Sequence, residues 1–585
     1  MAEPVLSIID TRITTALLAA FGPDVVVSGP LVLPSKDARH GDYTCSVPMA
    51  LARTLGEAPL ALAERLGQAL EVDDLCEAPE VVRPGFVNLR MRSDWMAARV
   101  AGMVGDPRVG VEAVAVPQTV VLDYSSPNVA KEMHVGHLRS TIIGDCLANV
   151  AELVGHRVER LNHLGDWGTQ FGMLITHLAD VHPEAIEVGR AGDLGDLVAF
   201  YRSAKVRFDQ DEDFAERARR RVVDLQAGEP TARSAWRVLV ELSRVENQEI
   251  YDLLGVHELT DRGESFYEPM LGDVVADLEA KGLVSVDAGA KCVFAEGFTN
   301  KDGDPLPLIV QKADGGYNYA TTDLAAIRHR VSGGADRLVY VVDAGQSLHL
   351  QMVFAVARLA GWLPEGVEAT HVAFGLVLGE DGKRLRTRSG ETVRLRALLD
   401  EAVDRSRAFV TTRAAERGEQ PPDDLDRVAR VIGIGAVKYA DLSQNRQSNY
   451  VFSFDKMLSL KGNTAPYLQY AYARMRSILR EARPAEGSAA GEVRVVLGEP
   501  QERDLAKHLI EFADVVARTA DELAPNHLCA YLYELSQTYN QFYEHCPVLR
   551  SEDPVRASRL ALCEATAATL RIGLGLLGIE VLERL

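Results

Sequence analysis

The fold of this 585-residue chain is decided by one stretch, TVVLDYSSPNVAKEMHVGHLRS, which spans residues 119–140. Its first six residues predict a strand, and the next four, Ser-Ser-Pro-Asn, predict a turn. A helical pattern then begins near Gly136 and runs to a stop signal at Gly155, and residues 157–161 predict the next strand. Strand, polar turn, long helix and strand open a doubly wound parallel sheet, whose ligand lies at the carboxyl ends of the strands.

The motif His134-Val135-Gly136-His137 lies where that helix begins. A helix N-terminus offers unpaired N–H groups and about half a unit of positive charge, which suits phosphate. Gly136 lets a ligand approach the backbone, and two imidazoles can donate hydrogen bonds to a polyphosphate. Two histidines are more often one surface and one core residue, so the motif alone leaves both interpretations open.

Composition excludes several classes of protein. Apolar residues at 47% and charged residues at 25% are ordinary globular values, and the length suffices for three or four domains of ~150 residues. The N-terminus has neither a basic nor an apolar leader, and no apolar run spans a membrane, so we expect a cytoplasmic protein without membrane contact. The seven scattered cysteines include no C-x-x-C pair, which argues against disulfides and a structural zinc.

The net charge of −21 is unusual for a protein that binds nucleic acid, because phosphates attract clustered cations. Local charge decides docking, however, and residues 431–480 carry seven basic side chains against two acidic ones. This net charge of +5 favours a nucleic-acid contact. Chance clustering on a solvated face is the alternative.

Residues 124–141 resemble the first signature of class I aminoacyl-tRNA synthetases, in its arginyl form. Further segments resemble the same family in the family's order: 162–172, 319–325, 345–346 and 466–471. The resemblance covers about residues 120–475, and the family's terminal domains would account for the flanks. Chance does not supply so many matches in order.

The fold class that follows is α/β and multidomain. Residues 1–112 predict a small α+β domain, which by resemblance contacts the elbow of transfer RNA. Residues 113–400 predict a Rossmann-like catalytic domain with a mainly helical insertion at about 180–290, and residues 401–585 predict an all-α anticodon-binding bundle. The α/β pattern returns in three segments: 306–312, 337–342 and 371–378. A linker-like stretch follows at 483–492.

Recognition of arginine has a physical requirement. A guanidinium is a planar fork of five donors, so a site selective against lysine needs a carboxylate in bidentate geometry and further acceptors. The resemblance implies Asp323 and Tyr319 for the side-chain end, with Asp123 assisting. For the head group and nearby polar contacts it implies Ser126, Asn128, His137 and Gln346. Asp323 also stands where a helix N-cap would, and the two roles are compatible. Such a site rejects wrong substrates by about four orders of magnitude, so we expect no editing site.

The second class I signature departs from the usual Lys-Met-Ser-Lys-Ser loop, whose lysines hold the ATP phosphates. The matching stretch is DGKRLRTRSG, residues 381–390, where the second lysine is replaced by Thr387. The resemblance implies that ATP is bound here by Lys383, Arg384, Arg386, Thr387 and Arg388. It also implies that Lys131 shares the phosphate chemistry with His134, Gly136 and His137. A lysine at 131 runs against the bias of a chain with 12 lysines and 51 arginines, although chance is the alternative.

One helical face in the C-terminal half predicts contact with RNA. Tyr467, Tyr470 and Arg474 share this face, with Gln469 beside them. Aromatic rings and cations suit splayed anticodon bases, although core tyrosines are the commoner explanation of such a stripe. The basic cluster and the resemblance favour RNA contact. For a second stripe we favour core packing: Tyr539, Phe542 and Tyr543.

The predicted reaction has two steps. The carboxylate of L-arginine attacks the α-phosphate of ATP, which gives arginyl-adenylate and pyrophosphate, and the arginyl group then passes to the terminal adenosine of tRNA(Arg). His134, His137 and Lys131 are the predicted catalytic residues, and Mg²⁺ travels with ATP rather than in a protein cage. The resemblance further implies that bound transfer RNA is required for the first step. The sequence does not determine the oligomeric state, and a monomer is our expectation.

Three other classes remain. A small-molecule nucleotidyltransferase shares the H-x-G-H helix but needs no long helical C-terminal region. A class I synthetase for another amino acid is disfavoured by Tyr319, Asp323 and the altered second signature. A paralogue that only binds RNA or senses arginine would be expected to lose His134, His137 or Lys131, and all three are present.

Overall fold

The computed structural model describes residues 3–585 except for 28, 36, 130, 169, 189–196, 387–392 and 483–492. The predicted linker at 483–492 therefore lies outside the described residues. Within the described part of the chain, no helix is both long and apolar enough to cross a membrane.

The N-terminal region packs helices against a four-stranded antiparallel sheet of order β1-β2-β4-β3. Its elements are α1 Val5–Phe21, β1 Leu33–Pro34, β2 Tyr43–Cys45, α2 Val47–Leu55, α3 Pro59–Ala69, β3 Glu80–Val82, β4 Phe86–Leu89 and α4 Ser93–Met103. The apolar faces of these helices and strands join the main hydrophobic core. The predicted α+β character of this region is confirmed.

A parallel sheet forms the centre of the molecule, as predicted. Its elements are β5 Thr119–Asp123, α5 Val135–Leu153, β6 Arg157–Asn162, β7 Thr260–Asp261, α13 Tyr319–Ser332, β11 Arg337–Tyr340, α14 Ser347–Leu359 and β12 Glu368–His371. The strand order is β12-β11-β5-β6-β7, with every pair parallel. The order reverses between β5 and β11, which is where doubly wound sheets bind ligands.

The segment predicted as an insertion at 180–290 is mainly helical, but the prediction was wrong for its end. Between β6 and β7 run α6 Gln170–Val181, α7 Pro183–Val188, α8 Leu197–Gln210, α9 Glu212–Gln226 and α10 Pro230–Leu254. The short β7 then returns to the parallel sheet. After it come α11 Glu264–Tyr267, α12 Leu271–Ala280, β8 Ser285–Asp287, β9 Ala290–Val293 and β10 Leu308–Gln311.

Two predicted strands differ from expectation. The segment 306–312 yields β10, which joins β9 and β8 in a separate antiparallel sheet rather than the parallel one. The segment 371–378 is not one strand, because β12 ends at His371 and a separate β13, Val377–Leu378, follows. β13 pairs in parallel with β14, Tyr450–Val451, which lies far along the chain.

The C-terminal region is a helical bundle, as predicted. Its helices are α15 Leu395–Glu416, α16 Leu425–Leu442, α17 Phe454–Met457, α18 Ala465–Ala482, α19 Pro500–Ile510, α20 Phe512–Glu522, α21 Asn526–His545 and α22 Val555–Leu576. α5 of the sheet contacts α15, α16, α20 and α22, so the bundle is built directly against the helix of the first signature.

Candidate active site

The site lies where the carboxyl ends of β5, β6, β7 and β11 meet at one edge of the parallel sheet. Asp123 ends β5 and is in register with Tyr340 of β11 on one side and Leu161 of β6 on the other. The turn after β5 is forced into an uncommon path, because Ser125 and Ser126 both have left-handed backbone conformations, with φ of 69° and 48°. Side chains hold this turn in place: the Ser125 amide donates to Ser140 Oγ at 2.8 Å, and the Ser126 amide donates to Asn162 Oδ1 at 2.9 Å.

The two signature histidines cap α5 reciprocally. The Gly136 amide donates to His134 Nδ1 at 3.0 Å, and the His134 amide donates to His137 Nδ1 at 3.0 Å. The rings stack with centroids 4.0 Å apart. A side chain at Gly136 would meet the His134 ring, since an added Cβ would lie 2.8 Å from it. The packing against the His134 ring therefore favours glycine at this position.

Both histidines are neutral near pH 7. Burial, together with the charge of His134, lowers the pKa of His137 to about 3, and burial also lowers the pKa of His134. Because each Nδ1 accepts a backbone hydrogen bond, each neutral ring carries its proton on Nε2. The start of α5 thus presents two Nε2–H donors suited to a polyphosphate.

Lys131 lies on the loop before α5, and the described part of the second signature, residues 381–386, follows β13. Lys131 is exposed, and its Nζ lies 5.4 Å from the centre of the Tyr201 ring of α8. The second loop turns back on itself, because the Gly379 amide donates to the Lys383 carbonyl at 2.8 Å. Arg384 bridges to Leu378, and Arg386 follows. Thr387 and Arg388 lie outside the described residues.

The two carboxylates predicted to bind the guanidinium already have partners in the chain. Asp323 Oδ2 lies 2.6 Å from His349 Nε2, and this contact raises the pKa of His349. Asp123 Oδ2 lies 2.7 Å from Arg330 NH2, and Asp123 Oδ1 accepts from Ser126 Oγ at 3.0 Å. Tyr319, at the start of the helix that carries Asp323, is 74% exposed.

A further acidic residue at this edge escaped the sequence analysis. Glu264 follows β7, and its burial, together with the negative charges of Asp166 and Asp323, raises its pKa to about 8. Asp166 is itself held by Ser265, whose amide and hydroxyl donate to it at 2.8 and 2.6 Å. No local pattern marks Glu264, because the chain reaches the site there only through β7.

Two of the residues predicted for the amino-acid head group, Asn128 and Gln346, lie after β5 and β11. Asn128 pairs with Gly165 of the loop after β6, so close that a Cβ at 165 would meet Asn128 Oδ1. Gln346 lies after β11, and its Nε2 donates to Asp343 Oδ2 at 3.2 Å. The structure brings both to the same sheet edge as Asp123 and Ser126.

On α18 the predicted RNA-binding face divides. Tyr470 and Arg474 are exposed, and Tyr467 is half-buried and accepts from Asn540 Nδ2 at 2.9 Å. The prediction for Gln469 was wrong: it is fully buried, and its Nε2 donates to the carbonyls of Val431 and Glu580. Of the second stripe, Tyr539 and Phe542 are buried, as predicted.

The basic cluster at 431–480 is not one cationic surface. Lys438 is buried, and its Nζ donates to the Gly578 carbonyl at 2.8 Å. Arg476 and Arg480 both pair with Glu583. The local charge counted from the sequence therefore overstates what RNA would meet.

Three family descriptions match consecutive parts of the chain. Residues 7–91 match "Arginyl tRNA synthetase N terminal domain", residues 103–454 match "tRNA synthetases class I (R), catalytic domain", and residues 468–585 match "DALR anticodon binding domain". Among curated proteins, the chain is 56% identical to "Arginine--tRNA ligase" of Synechococcus elongatus and 54% identical to that of Thermosynechococcus vestitus, over the full length of all chains.

Solved structures agree with these matches. The fold is similar to arginyl-tRNA synthetase of Plasmodium falciparum, with a TM-score of 0.87 and 29% identity over all of both chains. It is also similar to the Thermus thermophilus arginyl-tRNA synthetase, with a TM-score of 0.81 and 25% identity over 99% of this chain and all of the other. With all three family descriptions in order and relatives matched from end to end, this chain belongs to the class I arginyl-tRNA synthetases.

Proposed function

We propose that this chain activates L-arginine with ATP and transfers the arginyl group to tRNA(Arg), releasing AMP and pyrophosphate, as an arginine–tRNA ligase of protein synthesis. The proposal rests on one observation: groups suited to a polyphosphate and groups suited to a guanidinium lie at the same edge of the parallel sheet. Neutral imidazole donors at the start of α5 suit a polyphosphate, and clustered carboxylates beside Asp323 suit a guanidinium.

ATP enters as its Mg²⁺ complex and binds across the start of α5. His134 and His137 donate from Nε2, the Gly136 backbone allows close approach, and Lys131 supplies a positive charge. The second signature loop also binds the phosphates, through Lys383, Arg384, Arg386, Thr387 and Arg388. These groups stabilise the negative charge that shifts to pyrophosphate as the arginine carboxylate attacks the α-phosphate.

The guanidinium of the substrate binds between Asp323 and Glu264, with Tyr319 and Asp123 assisting. Ser126, Asn128, His137 and Gln346 hold the amino-acid head group. Two carboxylates can accept from a planar fork of five donors, whereas a lysine ammonium would leave acceptors unpaired. The burial of Glu264 supports this assignment, since a substrate cation would offset its desolvation.

Transfer RNA binds to Tyr467, Tyr470 and Arg474 of α18 through its anticodon. We propose the division at 1–112, 113–400 and 401–585 as the working domains, with the first contacting the elbow of the RNA. Bound RNA is required for the activation step. We further propose that the protein acts as a cytoplasmic monomer.

Aminoacylation of total transfer RNA with each amino acid in turn tests the proposal. Charging with arginine alone is the expected result, and ATP–pyrophosphate exchange should be weak until transfer RNA is added. Charging with another amino acid would overturn the assignment of arginine as the substrate. Brisk exchange without RNA would overturn the requirement for RNA but not the activity.

A further inference from the structure

Arg330 is a buried cation directly behind the arginine pocket. Its side chain is 2% exposed, that of Asp123 is 7% exposed, and their NH2 and Oδ2 atoms lie 2.7 Å apart. Arg330 NH2 also lies 3.4 Å from His163 Nδ1. Charged groups this deeply buried are rare and are normally retained for a reason other than packing.

The position of Arg330 in the fold joins two parts of the pocket. It lies seven residues after Asp323 on α13, so both side chains leave the helix on the same face. Its guanidinium reaches β5, where Asp123 stands beside Tyr340 of the neighbouring strand β11. One side chain thus connects the helix that carries Tyr319 and Asp323 to the strand that carries Asp123.

Stability alone does not account for this arrangement. Arg330 Nε and NH1 have no hydrogen-bond partner among the described residues, and the same holds for the nearby hydroxyl groups of Tyr267 and Tyr340. The Arg330 Cζ lies 5.3 Å from the ring centre of Tyr340 and 6.0 Å from that of Tyr267. Replacing a buried ion pair by apolar side chains of similar volume is often neutral or stabilising, so a buried fork with two unpaired N–H groups is weak evidence for a stabilising role.

We propose that Arg330 is a positioning residue for arginine binding, which fixes the orientation of the Asp123 carboxylate and the spacing between Asp123 and Asp323. This inference rests on the proposed function of the site. The Arg330 guanidinium pairs with Asp123 Oδ2, and the Ser126 hydroxyl donates to Asp123 Oδ1. Both carboxylate oxygens are therefore held, so the carboxylate cannot rotate. In this proposal, the fixed carboxylate presents its remaining lone pairs to the substrate in a single orientation.

Two variants test the inference: Arg330→Met, which fills the space without charge, and Arg330→Lys, which keeps the charge without the fork. We expect Arg330→Met to raise KM for arginine about tenfold or more, since small misplacements in such sites have large effects. KM for ATP should stay within about twofold of the parent value. Arg330→Lys should restore part of the loss. Arg328→Met is the matched control, because Arg328 lies on the same helix but faces Trp362 and Asp277.

The outcomes separate the inference from the proposed function. An unchanged KM for arginine in a folded Arg330→Met protein would overturn the positioning role, as would equal increases in KM for arginine and ATP with a lowered Tm. If Arg330→Met does not fold, the Arg330→Lys variant tests the role by the same comparison, the change in KM for arginine against the change in KM for ATP. Failure of the parent protein to charge transfer RNA with arginine would instead overturn the proposed function, and titration of L-arginine into parent and Arg330→Lys proteins would then test Arg330 by binding alone.

Discussion

In the proposed phosphate site, Lys131 and the two signature histidines differ in charge. The histidines are neutral and donate hydrogen bonds from Nε2, because their Nδ1 atoms accept from the backbone. They therefore contribute directed dipoles rather than net charge. A formal positive charge near the first signature comes from Lys131, which in this structure lies over the Tyr201 ring. In the proposed reaction, its ammonium compensates for part of the charge of the departing pyrophosphate.

Replacing Lys131 with Ala should slow the activation step by at least about tenfold, the worth of one charge-assisted contact. Lys131→Arg should not restore the rate, because a planar fork cannot replace a compact ammonium on a flexible stem. ATP–pyrophosphate exchange in the presence of transfer RNA measures the step. Tyr201→Leu is the control, since it removes the ring under Lys131 but leaves the ammonium. Equal losses in Lys131→Ala and Tyr201→Leu would assign Lys131 to anchoring α8 instead.

Glu264 should make arginine binding depend on pH. Its pKa of about 8 in the free enzyme means that most of the protein holds it protonated at pH 7. A bound guanidinium favours the ionised form and lowers this pKa, so binding releases a proton. KM for arginine should therefore fall by up to about tenfold per pH unit as the pH rises towards 8, and level off above it.

The Glu264→Gln variant separates this effect from other titrations. It should show a raised KM for arginine that no longer falls between pH 6 and about pH 8. KM for ATP, measured in the same series, should keep the profile of the parent enzyme. If KM for arginine falls equally with pH in Glu264→Gln and in the parent, Glu264 is not the titrating ligand.

Local patterns predicted a role for His134, and the resemblance of continuous segments to the family implied one for Asp323. They could not predict Glu264 or Arg330. Glu264 enters the pocket because β7 returns to the parallel sheet after the helical insertion, and Arg330 acts because β11 places α13 beside β5. Both depend on strand pairing between distant parts of the chain, and no local periodicity encodes such pairing.

At the scale of elements, helix α18 shows what periodicity can and cannot decide. Positions 467, 470 and 474 lie within about 60° of one another on a helix, whereas 469 lies about 200° from 467. The same geometry that grouped the three exposed or half-buried residues should have placed Gln469 in the core, where it bonds to the carbonyls of Val431 and Glu580. The proposed contact with RNA and the support of the bundle thus belong to opposite faces of one helix.

Substitutions on the two faces of α18 should have different effects. Tyr470→Ala should raise KM for transfer RNA about fivefold or more, because stacking on a base contributes about 1–3 kcal/mol, and Tyr470→Phe should keep most of the affinity. Gln469→Ala should instead lower Tm, since it leaves two buried carbonyls unpaired. Aminoacylation at varied RNA concentration and thermal unfolding measure the two effects. A Tyr470→Phe variant as weak as Tyr470→Ala would point to the hydroxyl, which accepts from Arg417, and not to stacking.

At the scale of the whole molecule, the N-terminal region and the C-terminal bundle meet through charged groups. Asp42 pairs with Arg503 of α19 at 2.7 Å, and the Leu6 amide donates to Asp514 at 2.9 Å. Close to this contact, Glu511 is half-buried, and its carboxylate lies 3.9 Å from Lys507 Nζ. No local sequence pattern predicts this contact, because its members are more than 400 positions apart, as the pair Asp42 and Arg503 illustrates.

The same contact should make stability depend on pH. Burial raises the pKa of Glu511 to about 7; the charge of Lys507 opposes this shift, and the charges of Asp514, Asp42 and Glu534 add to it. The folded protein therefore binds a proton that the unfolded chain releases above about pH 4.5, so stability should fall as the pH rises from there to about 7 and then level off. The loss is about 1–3 kcal/mol.

A Glu511→Gln variant should remove this loss, because a neutral amide has no proton to release. Its Tm should exceed that of the parent by about 2 °C or more at pH 8, and the difference should disappear near pH 5, where the parent carboxyl is protonated as well. Asp521→Asn, an exposed change on the neighbouring helix, is the control and should shift Tm equally at both pH values. A Tm advantage of Glu511→Gln that is as large at pH 5 as at pH 8 would show that packing, and not ionisation, distinguishes the two side chains.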